Sequence, residues 1–162
     1  MSVRSLFLAL PLLFFSAALT AQNMTLEKLK IYITEDARVI EDQGNMVEYE
    51  MDSIRIYMVV DVASDRMRFV AGVAEASSLT PEDHKLLLEA NYDRALDAKY
   101  ALSNGVLWSV FVHPLSDLTP YLIKNGLYQV RNLVYTYGTS YTSTGMVFGG
   151  EEEEEQKDKK NE

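Results

Sequence analysis

MVEYEMDSIRIYMVVDVASDRMRFVAGVAE, residues 46–75, decides the fold. Its apolar residues recur at every second position, the period of a strand whose side chains alternate between two faces of a sheet. Val47, Tyr49 and Met51 make a first strand. Ile54, Ile56, Met58, Val60 and Val62, alternating with Arg55, Tyr57 and Asp61, make a second. Ala63-Ser64-Asp65 has turn composition, and beyond it Met67, Phe69, Ala71 and Val73 alternate against Arg66 and Arg68. Strands joined by connections this short pair antiparallel, so the stretch predicts a three-stranded meander. One of its faces is apolar throughout and belongs to a core.

Downstream the period changes. Thr80-Pro81-Glu82-Asp83 opens a helix, with Thr as N-cap, Pro at the first helical position and acids at the positive helix end. That helix runs from Pro81 to about Tyr92. Residues 98–102 and 106–112 then form a hairpin around Ser103-Asn104-Gly105, because Asn-Gly tolerates the positive φ angles of a tight turn. Thr119-Pro120 repeats the helix-start signal before a stripe of Ile123, Leu127, Val130, Val134, Tyr137 and Tyr141. Gly126 and Gly138 weaken this last helix by about 1 kcal/mol each relative to Ala. Upstream, Leu26, Leu29, Ile33, Ala37 and Ile40 share one helical stripe after Asn23 as N-cap, and Gln43-Gly44-Asn45 stops it. The element order is α-β-β-β-α-β-β-α without an internal repeat. It defines an α+β fold, a twisted antiparallel sheet packed against helices.

The two ends read differently. Residues 1–21 contain Arg4, an apolar run from Leu6 to Phe15 and small residues ending at Ala21, the pattern of a secretory signal peptide. The run is too short for the ~20 apolar residues of a spanning helix, so no stable membrane insertion is expected after cleavage. The mature protein is then periplasmic or secreted. Residues 22–148 form one domain, and 149–162, with five consecutive glutamates, form a disordered acidic tail. The tail contributes −4 and the leader +1 to the net charge of −9, leaving −6 on residues 22–150. That sign opposes a nucleic-acid role, since phosphates would be repelled.

Chemistry at a reacting centre is not indicated. The chain has no cysteine, which removes disulfides, thiolate metal sites and Cys nucleophiles together. His84 and His113 are the two histidines, and neither has a second ligand at metal-binding spacing. Asp83-His84 near Ser77-Ser78 lacks the nucleophile elbow of a hydrolase, and no phosphate-binding glycine loop is present. Glu48 and Glu50 share a strand face, a spacing that by itself identifies no acid pair. We expect no enzyme activity and no cofactor or metal. Ten tyrosines, five of them between 121 and 141, combine apolar area with a polar tip, and they serve either an interface or the core. Met46, Met51, Met58 and Met67 divide between the same two roles.

The stretch LLLEANYDRALDAKYALSNGVLWSVFVHPLSDLTPYLIKNGLYQVRNLVYTYG, residues 86–138, resembles the YbjN-type family of bacterial sensory transduction regulators, whose fold is shared with Tir/CesT-like chaperones of type III secretion. The resemblance implies helices on one face of an antiparallel sheet, a homodimer, and polypeptide binding without chemistry. The leader and the glutamate run depart from the secretion chaperones, which act in the cytoplasm. On the strand faces opposite the core, Tyr57, Val59, Val70 and Val110 are apolar, and they are the candidate interface for a protein partner or second copy. A small apolar ligand held between the sheet and the last helix is the alternative. It requires that Leu127, Val130, Val134 and Trp108 leave space beneath that helix. Intact-mass measurement on protein from the native host should give a chain beginning at Gln22; recovery of only the full-length chain from the cytosol would contradict export.

Overall fold

The computed structural model describes residues 23–145, so the leader and the acidic tail lie outside the described residues. The elements are α1 (Leu26–Ile33), β1 (Arg38–Asp42), β2 (Met46–Met51), β3 (Ile54–Asp61), β4 (Arg66–Glu75), α2 (Pro81–Asp93), β5 (Lys99–Ser103), β6 (Val106–Pro114) and α3 (Pro120–Thr136). All six strands pair antiparallel in one sheet of order β1-β2-β3-β4-β6-β5. The meander and the hairpin expected from the residue pattern are both present.

The first expected helix is two elements. α1 ends at Ile33, where the Thr34 hydroxyl donates back to the Ile31 carbonyl, and residues 38–42 become an edge strand paired with β2. Ala37 and Ile40 fit a helical stripe, but consecutive β-branched Val39 and Ile40 favour the extended chain and gain a ladder there. The helix is capped not by Asn23 but by Thr25, whose hydroxyl accepts from the Lys28 N–H. Strand β3 stops at Asp61, which leaves Val62 in the turn and 56% exposed. α3 also stops short of its expected stripe: Tyr137 and Tyr141 lie beyond its end. Their rings pack on Tyr100 at centroid distances of 6.4 and 6.2 Å and on each other at 5.9 Å.

Other local signals hold. Thr80 and Asp83 form a reciprocal capping box on α2, and Thr119 caps α3 with Pro120 in its first turn. Asn104 and Gly105 have φ of 50° and 76°, as the hairpin turn requires.

One face of the sheet is dry. Val47, Tyr49, Ile56, Met58, Met67, Phe69, Leu107 and Phe111 are buried on it, under Leu29 and Ile33 of α1 and Ile123, Leu127, Val130 and Leu133 of α3. Burying side chains of this size is worth about 1.5–3 kcal/mol each, and this layer is the chief source of stability. α3 seats on the sheet through Gly126. A Cβ there would lie 2.9 Å from the Phe111 ring, and Phe111 is itself buried and stacked on Phe69 with centroids 6.0 Å apart. Gly126 therefore permits close approach rather than merely weakening the helix.

The α2–β5 connection is held from α3. The buried Gln129 side chain accepts from the Asp97 and Ala98 N–H groups and donates to the Asp97 carboxylate. The segment after α3 returns to the same place, where the Ser143 hydroxyl accepts from the Leu96 N–H and its own N–H donates to the Arg94 carbonyl.

Two outcomes follow from this packing. Helix propensity alone would make Gly126→Ala stabilising by about 1 kcal/mol. The Phe111 contact reverses the sign, so the melting temperature should fall by several degrees, and Phe111→Leu in the same chain should recover part of that loss.

The Tyr49 hydroxyl is fully buried with no hydrogen-bond partner, a state that costs about 1–3 kcal/mol. Burial, with a smaller push from the Asp42 carboxylate, raises it from 10.0 to about 12. Between those values the unfolded chain has released its proton while the native one keeps it, so stability falls as pH rises through 10. Burial raises the Tyr100 hydroxyl too, which adds to the same alkaline loss. Tyr49→Phe should melt higher at neutral pH and lose less between pH 10 and 11; a lower melting temperature would show that the hydroxyl is paired in solution.

Candidate interaction surface

The second face of the sheet carries no helix. Its residues stand in cross-strand rows fixed by the register. One row runs Glu48–Tyr57–Val70–Val110–Lys99 across β2, β3, β4, β6 and β5. The next runs Met46–Val59–Arg68–Val112, and another holds Gly72, Trp108 and Ala101. Rows two residues apart along a strand are separated by about 7 Å. Tyr57, Val59, Val70 and Val110, chosen by parity alone, are thus neighbours on three adjacent strands, each half-buried by the others. Val112 is 56% and Met46 41% exposed beside them, and both extend the patch beyond the four residues that parity selects. Met51, Met58 and Met67 instead fill the core.

Trp108 is a correction. It lies not beneath α3 but on the open face, where its indole N–H donates to the Ser103 carbonyl at 3.1 Å. The parity of β6 carries the signal: Leu107, Ser109 and Phe111 point inward, so Trp108, Val110 and Val112 point out.

Charges on this face divide into two zones. Toward β1, Arg38 pairs with Glu50 at 2.9 Å, and Arg55 pairs with Glu48 and, at 3.5 Å, Glu50. The Arg38 contact holds the Glu50 carboxyl below its usual range. Toward the β3–β4 turn, Arg66 and Arg68 form no ion pair among the described residues. Asp61 stands opposite Arg66, but its oxygens accept from the Ser64 hydroxyl and N–H, which hold its carboxyl low.

Both sheet edges are guarded. β1 is short, charged and bulged between Val39 and Glu41. On β5, the Asn91 side chain takes the place of a further strand at Tyr100, donating to its carbonyl at 2.9 Å and accepting its N–H at 2.7 Å. The face, rather than an edge, is the open surface.

The tyrosines of α3 divide as well. Tyr121, Tyr128 and Tyr135 form an outer stripe with Lys124 and Arg131 between them. Lys124 pairs with Asp36 at 3.0 Å and Arg131 with Asp52 at 2.6 Å, and Arg131 lies 4.5 Å from the Tyr128 ring centre. This stripe clamps α3 to the α1–β1 and β2–β3 turns.

No catalytic constellation assembles among the described residues. His84 Nδ1 lies 2.7 Å from the Thr80 carbonyl and His113 Nδ1 2.8 Å from the Pro114 carbonyl, so each ring serves its own turn. The Asp83 carboxylate is engaged by the Thr80 hydroxyl and N–H, which hold it low, and Ser77-Ser78 lies in a short 3-10 turn. No group of three His, Asp or Glu residues at metal-binding distance occurs in the described chain, and no described helix is long and apolar enough to cross a membrane. Beneath α3 the layer is filled by buried Leu127, Val130 and Leu133. A hollow of about 370 Å³ opens at the start of α3, lined by Leu96, Asp97, Lys99, Phe111, His113 and Leu122, and a smaller apolar one of about 160 Å³, lined by Leu87, Leu88, Tyr100, Leu102 and Leu107, lies between α2 and β5.

An antiparallel six-stranded sheet with three helices on one side and a mixed apolar and charged open face on the other defines the class of this domain. No family model and no curated protein matches the chain. Among solved structures, a HopA1–SchA chaperone–effector complex contains a chain that aligns over 67% of this chain and 88% of its own, with a TM-score of 0.53 and 11% identity. An ExsC–ExsE complex aligns over 57% of this chain and 73% of its own, with a TM-score of 0.47 and 14% identity. The fold is therefore shared with a chain of the HopA1–SchA complex.

Proposed function

We propose that this protein is an exported, non-enzymatic, chaperone-like module of the YbjN type that binds polypeptide on the open face of its sheet and associates as a homodimer. The observation that carries the reading is the contiguity of Tyr57, Val59, Val70 and Val110 on a face without a helix. An apolar patch spread over three adjacent strands is the kind of surface that a partner covers. The likeness to a chain of a chaperone–effector complex supports the same reading. The residue pattern 86–138 supports the YbjN type, and the leader supports export to the periplasm or beyond. Binding of a small apolar ligand between sheet and α3 has less support, because buried side chains fill the middle of that layer and the hollow at the start of α3 is lined by Asp97 and Lys99 as well as apolar residues.

The open face separates binding from folding. Val59→Glu and Val110→Glu place a charge where water already reaches, so each should fold with a melting temperature within a few degrees of wild type. Light scattering at micromolar concentration should show a dimer for wild type and a shift toward monomer for both variants. A wild type that stays monomeric, together with variants that unfold, would place these valines in a core and defeat the reading.

A further inference from the structure

We propose that Arg68 is the specificity anchor of the open face, selecting a polypeptide segment that sets one carboxylate side chain beside a run of apolar residues. The inference rests on the reading of the open face as a polypeptide-binding surface and adds the chemistry of what it accepts.

Arg68 stands on β4 between Val59 of β3 and Val112 of β6, one row from Tyr57, Val70 and Val110. A ligand that covers the apolar rows therefore covers Arg68 as well. Among the described residues the Arg68 side chain makes no ion pair and no hydrogen bond, whereas Arg38 and Arg55 are matched by Glu50 and Glu48, and Lys99 is committed to the Asn91 and Ala95 carbonyls. Beside it is a hollow of about 100 Å³ lined by Val59, Asp61, Arg66, Met67, Arg68 and Val112. The local balance there is two guanidiniums against the Asp61 carboxylate, whose oxygens already accept from Ser64.

In the free protein, water solvates Arg68 and the missing partner costs little. Under a partner the situation reverses, because a dry guanidinium without a counter-charge is among the most expensive groups to bury. A purely apolar segment meets that penalty, and a segment bearing Lys or Arg at this position adds repulsion. A carboxylate removes both, and the planar guanidinium can receive it through two hydrogen bonds. The acid must be local: with −6 on residues 22–150, a polyacidic chain is repelled before it arrives.

Peptide selection tests this even while the natural partner is unidentified. Random twelve-residue peptides displayed on phage would be selected against the mature chain and against its Arg68→Glu and Arg68→Lys variants. We expect wild-type winners to carry Asp or Glu at a fixed offset from apolar residues, and Arg68→Lys to keep that acid with weaker enrichment. Arg68→Glu should replace the acid with Lys or Arg. For a synthetic winner, Arg68→Gln and acid→amide in the peptide should each weaken binding about tenfold, and the two changes together no more than either alone. Winners without an acid, or an unchanged consensus on Arg68→Glu, would overturn the role of Arg68 while leaving the open face as a binding surface. Winners indifferent to Val59→Glu and Val110→Glu would overturn the open-face reading itself. Displacement of the winners by a peptide of residues 151–162 would assign the hollow to the protein's own tail and overturn a partner-selecting role.

Discussion

The seat of α3 on the sheet governs the rest of the structure. Phe111 occupies the space that a side chain at position 126 would need, and the missing side chain lets α3 lie close to strands β4 and β6. Ile123, Leu127, Val130 and Leu133 then close the layer from above. Because α1 packs on α3 and α2 lies at β5, all three helices take the same side. The opposite side is left with a sheet and no cover, and this asymmetry is the starting point for any function.

What remains exposed is not a uniform apolar plate. Ion pairs among Arg38, Glu48, Glu50 and Arg55 neutralise the region toward β1, and valines and Tyr57 occupy the centre. Two arginines without ion-pair partners among the described residues stand at the turn end. Apolar area supplies affinity but discriminates poorly, whereas a charge that must be matched when covered discriminates strongly. The edges contribute by exclusion: the bulge of β1 and the Asn91 amide against β5 disfavour strand addition, which leaves the face as the surface on offer.

Most of the sheet was legible from residues 46–75 and 98–112, because period two is unambiguous where one face is apolar and the turns carry Asn-Gly or Ser-Asp. The open-face residues were legible for the same reason, since parity alone places Tyr57, Val59, Val70 and Val110 opposite the core. Strand β1 was not, because the three-residue spacing of Ala37 and Ile40 fits a helical stripe and only pairing with β2 reveals the extended chain. The value of Gly126 was hidden as well, since propensity describes an isolated helix and the Phe111 ring belongs to a strand fifteen residues earlier. Trp108, expected beneath the last helix, shares the parity of Val110 on β6 and so stands on the open face. The state of Arg68 could not be read at all. Whether a charge has a partner depends on three strands meeting in space.

The account turns on an open face that is wet in the free protein and dry in the bound one, and the chain's single tryptophan sits on it. Acrylamide quenching of Trp108 fluorescence, followed from nanomolar to micromolar protein and again with a bound peptide, reports that change directly. The account predicts red-shifted, readily quenched emission in the dilute protein. Binding of a peptide on the face should move the emission to the blue and reduce quenching. Blue, quench-resistant emission already present in the dilute monomer, or emission unmoved by binding, would contradict it.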